Sequence, residues 1–300
     1  MARQLKELQS QVCAKLPQSE PDARELGNFL DACGGVVGKA AHMYCKSRQW
    51  RSEEAVDGIL DEEGGHEREE RVRRFQQYVD GLTDREGRPV AVWRAGRVPV
   101  RAMMEEVGAA AVLRNHVYLK ERSLLRAHEA GHSSHILVLD MAGMGMAQMD
   151  REGLAALHRG IEIEQRYYPE TLHKIVIIRA PWIFSAAWNI VSPWLSENDR
   201  AKIEISAEES GAAALAPVME HSQIPDFLGG AKDCPVAGSQ ASTPAASAGE
   251  LEIAAGQKHE VLLPLDAPGT AVSWCWSTEA HDLACSILFV RVRFQIIGNA

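Results

Sequence analysis

The run Ile136-Leu137-Val138-Leu139 is apolar without a break and ends at Asp140, and a second such run, Ile175-Val176-Ile177-Ile178, lies between Lys174 and Arg179. Continuous runs of this length, rather than alternating ones, are what strands covered on both faces require, and such strands belong to parallel sheets packed with helices. Val90-Ala91-Val92-Trp93, directly after the turn-forming stretch Asp84-Arg85-Glu86-Gly87-Arg88-Pro89, predicts a short strand ahead of them. Lys202-Ile203-Glu204-Ile205 alternates like a further strand. Residues 102–129 suit one long helix, and residues 151–166 place Leu154, Leu157 and Ile161 on one helical face. Strands separated by helices predict an α/β domain. Residues 1–75 read as helical with polar breaks, with Trp50 following Tyr44 and with Val72 and Phe75 resuming the pattern.

Several function classes are disfavoured at once. A net charge of -9 argues against a general nucleic-acid binder. Met1 to Gln11 is polar, without the apolar run of an export signal. Ala180 to Leu195 is the most apolar stretch, but Pro181 and Pro193 interrupt it, and it is shorter than the roughly 20 residues that span a bilayer. The chain therefore reads as soluble. Its six cysteines contain no CxxC pair, which fits reduced cytosolic thiols. Charge is unevenly placed. Residues 53–70 carry nine acids against Arg68, whereas residues 85–126 carry nine bases against four acids. The basic stretch reads as an anion site, a surface for acidic lipid, or a solvated face with scattered pairs.

Two motifs offer reactive chemistry. His128-Glu129-Ala130-Gly131-His132 fits the pattern in which a helix sets two imidazoles beside a zinc with Glu129 as base. Gly131, Ser133 and Ser134 lead straight into the strand at 136, so the expectation is a polar helix end, with a zinc hydrolase as the minor alternative. Gly143-Met144-Gly145-Met146 follows a strand as a dinucleotide loop would, but it lacks the third glycine and the acidic residue about 20 positions on. Flexible methionines suit an apolar cavity or a core equally well.

The order Tyr167-Tyr168-Pro169-Glu170, strand 174–179, Ala180-Pro181, Phe184-Ser185-Ala186-Ala187-Trp188, Val191-Ser192-Pro193-Trp194-Leu195 and Lys202-Ile203 resembles the lipid-binding core of the Sec14-like (CRAL-TRIO) family. Ile224-Pro225-Asp226-Phe227-Leu228-Gly229-Gly230 resembles its closing motif, and Trp50-Arg51 the end of its preceding helical module. The resemblance implies an α/β lipid-binding domain at 76–235 behind a helical module at 1–75. Residues 237–249, small and polar, suit a flexible linker within 236–249. The stretches 257–265 and 272–279 resemble the opening of a GOLD β-sandwich. A sandwich needs about 100 residues, so 250–300 is expected to be a partial one.

The resemblance further implies a carrier that holds one phospholipid, with phosphatidylinositol a candidate, or an isoprenoid, in a closed pocket. It implies no covalent chemistry, no cofactor beyond the lipid, and transient contact with membranes such as the Golgi. Phe184, Trp188, Val191 and Trp194 would belong to a mobile gate helix. Glu170 and Lys202, with Arg88, would meet the polar end of the ligand. Asp199 stands where a hydroxyl residue is usual, and His135 and Leu137 stand where choline-lipid members carry Ser and Thr, which favours a less polar ligand. The remaining alternative is an interaction module with a vestigial pocket, binding a small GTPase or vesicle protein.

Overall fold

The computed structural model describes residues 2–17 and 21–234. The linker and GOLD-like stretches lie outside the described residues. Strands β1 (Tyr78–Thr83), β2 (Pro89–Trp93), β3 (His135–Asp140), β4 (Leu172–Ile178) and β5 (Ile203–Ile205) form one sheet in that spatial order, with β1 antiparallel to β2 and the others parallel.

The two faces of the sheet are covered differently, and that difference positions the site. Val90, Val92, Ile136, Val138, Val176 and Ile178 share one face and are buried against Leu215, Met219, Ile224 and Leu228. These partners come from α10 (Gly211–Leu215) and the segment after it, so the closing motif is a lid on this face. The opposite face carries the alternate residues. Two apolar rows cross it in register: Ala91, Leu137, Ile175 and Ile203, then Trp93, Leu139, Ile177 and Ile205. Helix α6 (Ala109–Glu129) rests against β2 and β3, and α7 (Arg151–Tyr167) packs on α6 and on α5 (Val100–Glu106).

The N-terminal helices α1 (Ala2–Lys15), α2 (Ala23–Ala32) and α3 (Val37–Glu53) bury a core of their own around Leu8, Val12, Leu26, Phe29, Leu30 and Tyr44. Asp22 caps α2 by accepting from the Arg24 and Glu25 amides at 2.6 and 3.3 Å, satisfying donors that would otherwise be orphaned. Gly34 and Gly35, with φ of 59° and 78°, form the turn into α3 and do not weaken a helix interior. This module joins the rest through Trp50, stacked on Tyr167 at 4.2 Å, and through Arg51, whose guanidinium donates to both oxygens of Glu121 at 2.7 and 2.9 Å. Burial and hydrogen bonding by Glu121 push the Tyr168 phenol well above its usual range, so its hydroxyl stays a donor to Glu121.

Two features depart from the sequence reading, and one agrees with it. The helix anticipated over 102–129 is two helices, broken at Gly108 with φ of 83°. Strand β1 was not anticipated, because Asp80 and Gly81 interrupt its apolar pattern at a register shift between Val79 and Leu82. The basic stretch forms scattered pairs, one of the readings given above: Arg114 meets Glu62 and Arg122 meets Glu69 of the acidic stretch, while Arg88, Arg94, Lys120 and Arg126 pair with Asp84, Asp140, Glu164 and Asp80. After Glu62 comes α4 (Gly65–Arg73), which carries Glu69.

Candidate ligand-binding site

From the carboxyl end of β4 the chain turns through Arg179-Ala180-Pro181 into α8 (Phe184–Val191), then a 3-10 turn at Ser192–Trp194, then α9 (Glu197–Ala201), and enters β5. The 3-10 turn lies on the side of the sheet that carries α6 and α7. Trp194 stacks on His158 of α7 at 4.6 Å, and Gln165 of α7 donates to the Trp194 carbonyl at 3.2 Å. The segment therefore runs on the same side of the sheet as the apolar rows. Leu137, Leu139 and Ile175 in those rows are only half-buried, unlike the residues of the opposite face. Along α8 itself only Ala187 is buried, while Phe184, Trp188 and Val191 are half-buried and Ile190 is exposed. An apolar helix of eight residues with so little buried is weakly anchored, since helices this short depend on tertiary packing. Its N-terminal end packs on Met141, Met144 and Met149 through Ile183, Phe184 and Ala187. The Gly143–Gly145 stretch is thus a seat for α8, not a phosphate loop.

Glu170 and Lys202, predicted from residues 32 apart, meet at the amino ends of β4 and β5. Lys202 Nζ donates to Glu170 Oε2 at 2.7 Å, and Asn198 donates to the other oxygen. Both side chains of the ion pair are mostly withdrawn from solvent. Glu170 has φ of 56°, a left-handed conformation that costs a non-glycine residue on the order of 1 kcal/mol. Asp199 turns away from this pair: its Oδ2 accepts from Gln165 at 2.9 Å and from Ser196 at 2.7 Å. Arg88 is elsewhere. Its guanidinium donates to Asp84 at 2.6 Å and Glu86 at 3.0 Å within the β1–β2 turn.

The histidine motif does not form a metal site of the helical kind. Helix α6 ends at Glu129, and His132 lies beyond it, its Nε2 3.2 Å from the Glu86 carbonyl.

Two polar clusters were not foreseen. Under α6 and α7, buried Lys120 approaches Glu164 at 2.6 Å and His135 Nε2 at 3.1 Å, and His116 lies 3.1 Å from Glu164. Burial alone would raise the Glu164 carboxyl, but Lys120 and His116 hold it down at about 2. Burial and then the Lys120 ammonium depress His135 to about 3, so it is neutral and accepts from Lys120. The second cluster lies at the other end of the strands. Asp140, fully buried, takes a bidentate pair of bonds from Arg179 and has Arg94 at 3.6 Å. Arg179 also has a left-handed φ, 52°. The available signals were an acid closing a buried strand, and a lysine among the sheet-facing residues of a helix.

Residues 73–230 match the profile of the CRAL/TRIO domain. The chain belongs to this family. It is 30% identical over 303 residues to a CRAL-TRIO domain-containing protein of Caenorhabditis elegans, covering 92% of this chain and 42% of that protein. It is 30% identical over 226 residues to a phosphatidylinositol/phosphatidylcholine transfer protein of Arabidopsis thaliana, covering 73% of this chain and 37% of that one. The chain thus spans less than half the length of these relatives. The crystal structure of Sfh5 superposes with a TM-score of 0.55 at 18% identity, covering 65% of this chain and 67% of that one, which shows the shared fold. Among the described residues no helix is long and apolar enough to cross a membrane.

Proposed function

We propose that this protein binds one phospholipid or isoprenoid between the apolar rows of the sheet and α8, and exchanges it at membranes from the cytosol. The observation that carries the reading is the asymmetry of the sheet. One face is sealed by Leu215, Met219, Ile224 and Leu228, while on the face toward α7 and Trp194 Leu137, Leu139 and Ile175 stay only half-buried. An apolar surface under a loosely held apolar helix suits an acyl or isoprenoid chain. The transfer activity named for the Arabidopsis relative supports the same reading.

The Glu170–Lys202 pair would receive the polar end. Lys202 would donate to a phosphate oxygen and Glu170 would accept from head-group hydroxyls, so a phosphoinositide-type head uses both partners. Neither side chain lies bare without ligand, because each is held by the other. Phe184, Trp188, Val191 and Trp194 would form the movable cover, opening by losing the packing of Ile183, Phe184 and Ala187 on the methionines, the Trp194–His158 stack and the Gln165 bond to the Trp194 carbonyl. Arg88 would act by holding the β1–β2 turn.

The test is lipid exchange between donor and acceptor vesicles, comparing phosphatidylinositol, phosphatidylcholine and an isoprenoid. The account expects transfer of at least one of these. It also expects Glu170→Ala with Lys202→Ala to abolish phosphatidylinositol transfer while sparing a ligand with no charged head. No transfer of any of the three by stable, folded protein would overturn the proposal.

A further inference from the structure

At the carboxyl ends of the parallel strands, beside the root of α8, three loops are pinned together. A Cβ added at Gly96 would lie 2.3 Å from the Met141 carbonyl oxygen, so these two loops touch backbone to backbone. Gly143 lies against the aliphatic stem of Arg97. Met141, Met144 and Met149 then pack on Ile183, Phe184 and Ala187, which ties in the third loop.

This arrangement sets Arg94 and Arg179 on the carboxylate of Asp140 and brings the charge of Arg97 close to Arg94. Burial, then the charges of Arg97 and Arg179, lower the Arg94 pKa, as an excess of cations should. Arg97 is exposed. Asp150, on the far side of the methionine loop, faces Arg101 at 3.7 Å. The same loops carry the two most exposed large apolar side chains among the described residues, Trp182 at 88% and Met146 at 73%.

Surplus guanidinium charge flanked by an exposed indole and thioether matches one surface chemistry. Trp settles at the boundary between lipid head groups and chains, and basic residues are drawn to an anionic leaflet. A soluble phosphate would use the arginines and leave Trp182 and Met146 without a partner. We infer that this edge docks on an anionic lipid bilayer, with Trp182 and Met146 entering the head-group layer and Arg97 facing lipid phosphates. The inference deepens the carrier reading by naming the membrane chemistry and the edge that meets it. It also places the bilayer at the N-terminal end of α8, where the cover would begin to lift.

The experiment is flotation of the full chain with vesicles of phosphatidylcholine alone, or with about one fifth phosphatidylserine. Wild type should favour the anionic vesicles and be released by salt. Arg97→Gln should weaken anionic binding about fivefold, from one basic contact. Trp182→Ala should weaken it about tenfold, from one lost apolar side chain. Both side chains are exposed, so melting temperature and lipid uptake from detergent should stay at wild-type values. Equal binding to both vesicle types, or wild-type binding by both variants, would overturn the inference. So would quenching of tryptophan fluorescence by inorganic phosphate that Trp182→Ala removes, without vesicle binding, because it would place a soluble anion here. Variant-sensitive vesicle binding with no lipid taken up would keep the docking edge and remove the carrier. Lipid uptake with indifferent variants would do the reverse.

Discussion

Replacing Glu170 by glycine and by alanine separates its structural role from its proposed ligand role. Either change removes the bonds from Lys202 and Asn198. Charge-assisted bonds of this kind contribute about 1.5–3 kcal/mol, and partial exposure of both partners favours the low end. Glycine also relieves the left-handed backbone at φ 56°, a gain of about 1 kcal/mol that alanine does not provide. Glu170→Gly should therefore sit within about 1 kcal/mol of wild type, and Glu170→Ala about 1 kcal/mol below Glu170→Gly. For a unit of this size that difference is about 2–4 °C in Tm. Thermal and urea unfolding followed by circular dichroism would measure it. Phosphatidylinositol uptake should fall equally in both. Equal stability of the two variants would refute the strain argument, and wild-type uptake by the glycine variant would refute the contact to the head group.

Lys120→Met leaves Glu164 buried without its ammonium partner, so a loss of about 3–5 kcal/mol is expected in chemical denaturation; a loss under 1 kcal/mol would contradict the network. The same network predicts acid lability. The folded pKa values of Glu164 and His135, about 2 and about 3, lie below their ordinary values of 4.5 and 6.5. In each case the unfolded chain binds the proton first, so the stabilisation is complete above pH 6.5 and drains away as pH falls towards 2. Urea midpoints that stay flat from pH 7 to pH 4 would contradict this. Gly96→Ala forces a Cβ to 2.3 Å from the Met141 carbonyl oxygen, and should cost about 1–3 kcal/mol of stability by displacing the methionine loop under α8.

The parallel strands were legible because Ile136 to Leu139 and Ile175 to Ile178 are apolar on both faces, a pattern that few other elements produce. Strand β1 was not, since its bulge at Asp80 and Gly81 is settled by pairing with β2 and by Arg122 and Arg126, which no local pattern encodes. The resemblance named Glu170 and Lys202 as neighbours of one ligand head, and their pairing with each other was visible only once the sheet brought residues 32 apart together. Asp199 shows the limit most plainly. Its charge alone suggested repulsion of a phosphate, and only Gln165 and Ser196 reveal where it points. Arg88 shows the same limit: its guanidinium donates to Asp84 and Glu86 of its own turn, partners that the resemblance did not indicate.

Native mass spectrometry of the purified chain, with extraction and identification of any bound lipid, addresses the carrier claim most directly. The account predicts a one-to-one complex with a phospholipid or isoprenoid, and exchange for phosphatidylinositol that is lost when Glu170 and Lys202 are both replaced by alanine. A folded chain that stays at its bare mass after incubation with mixed lipid vesicles would contradict it.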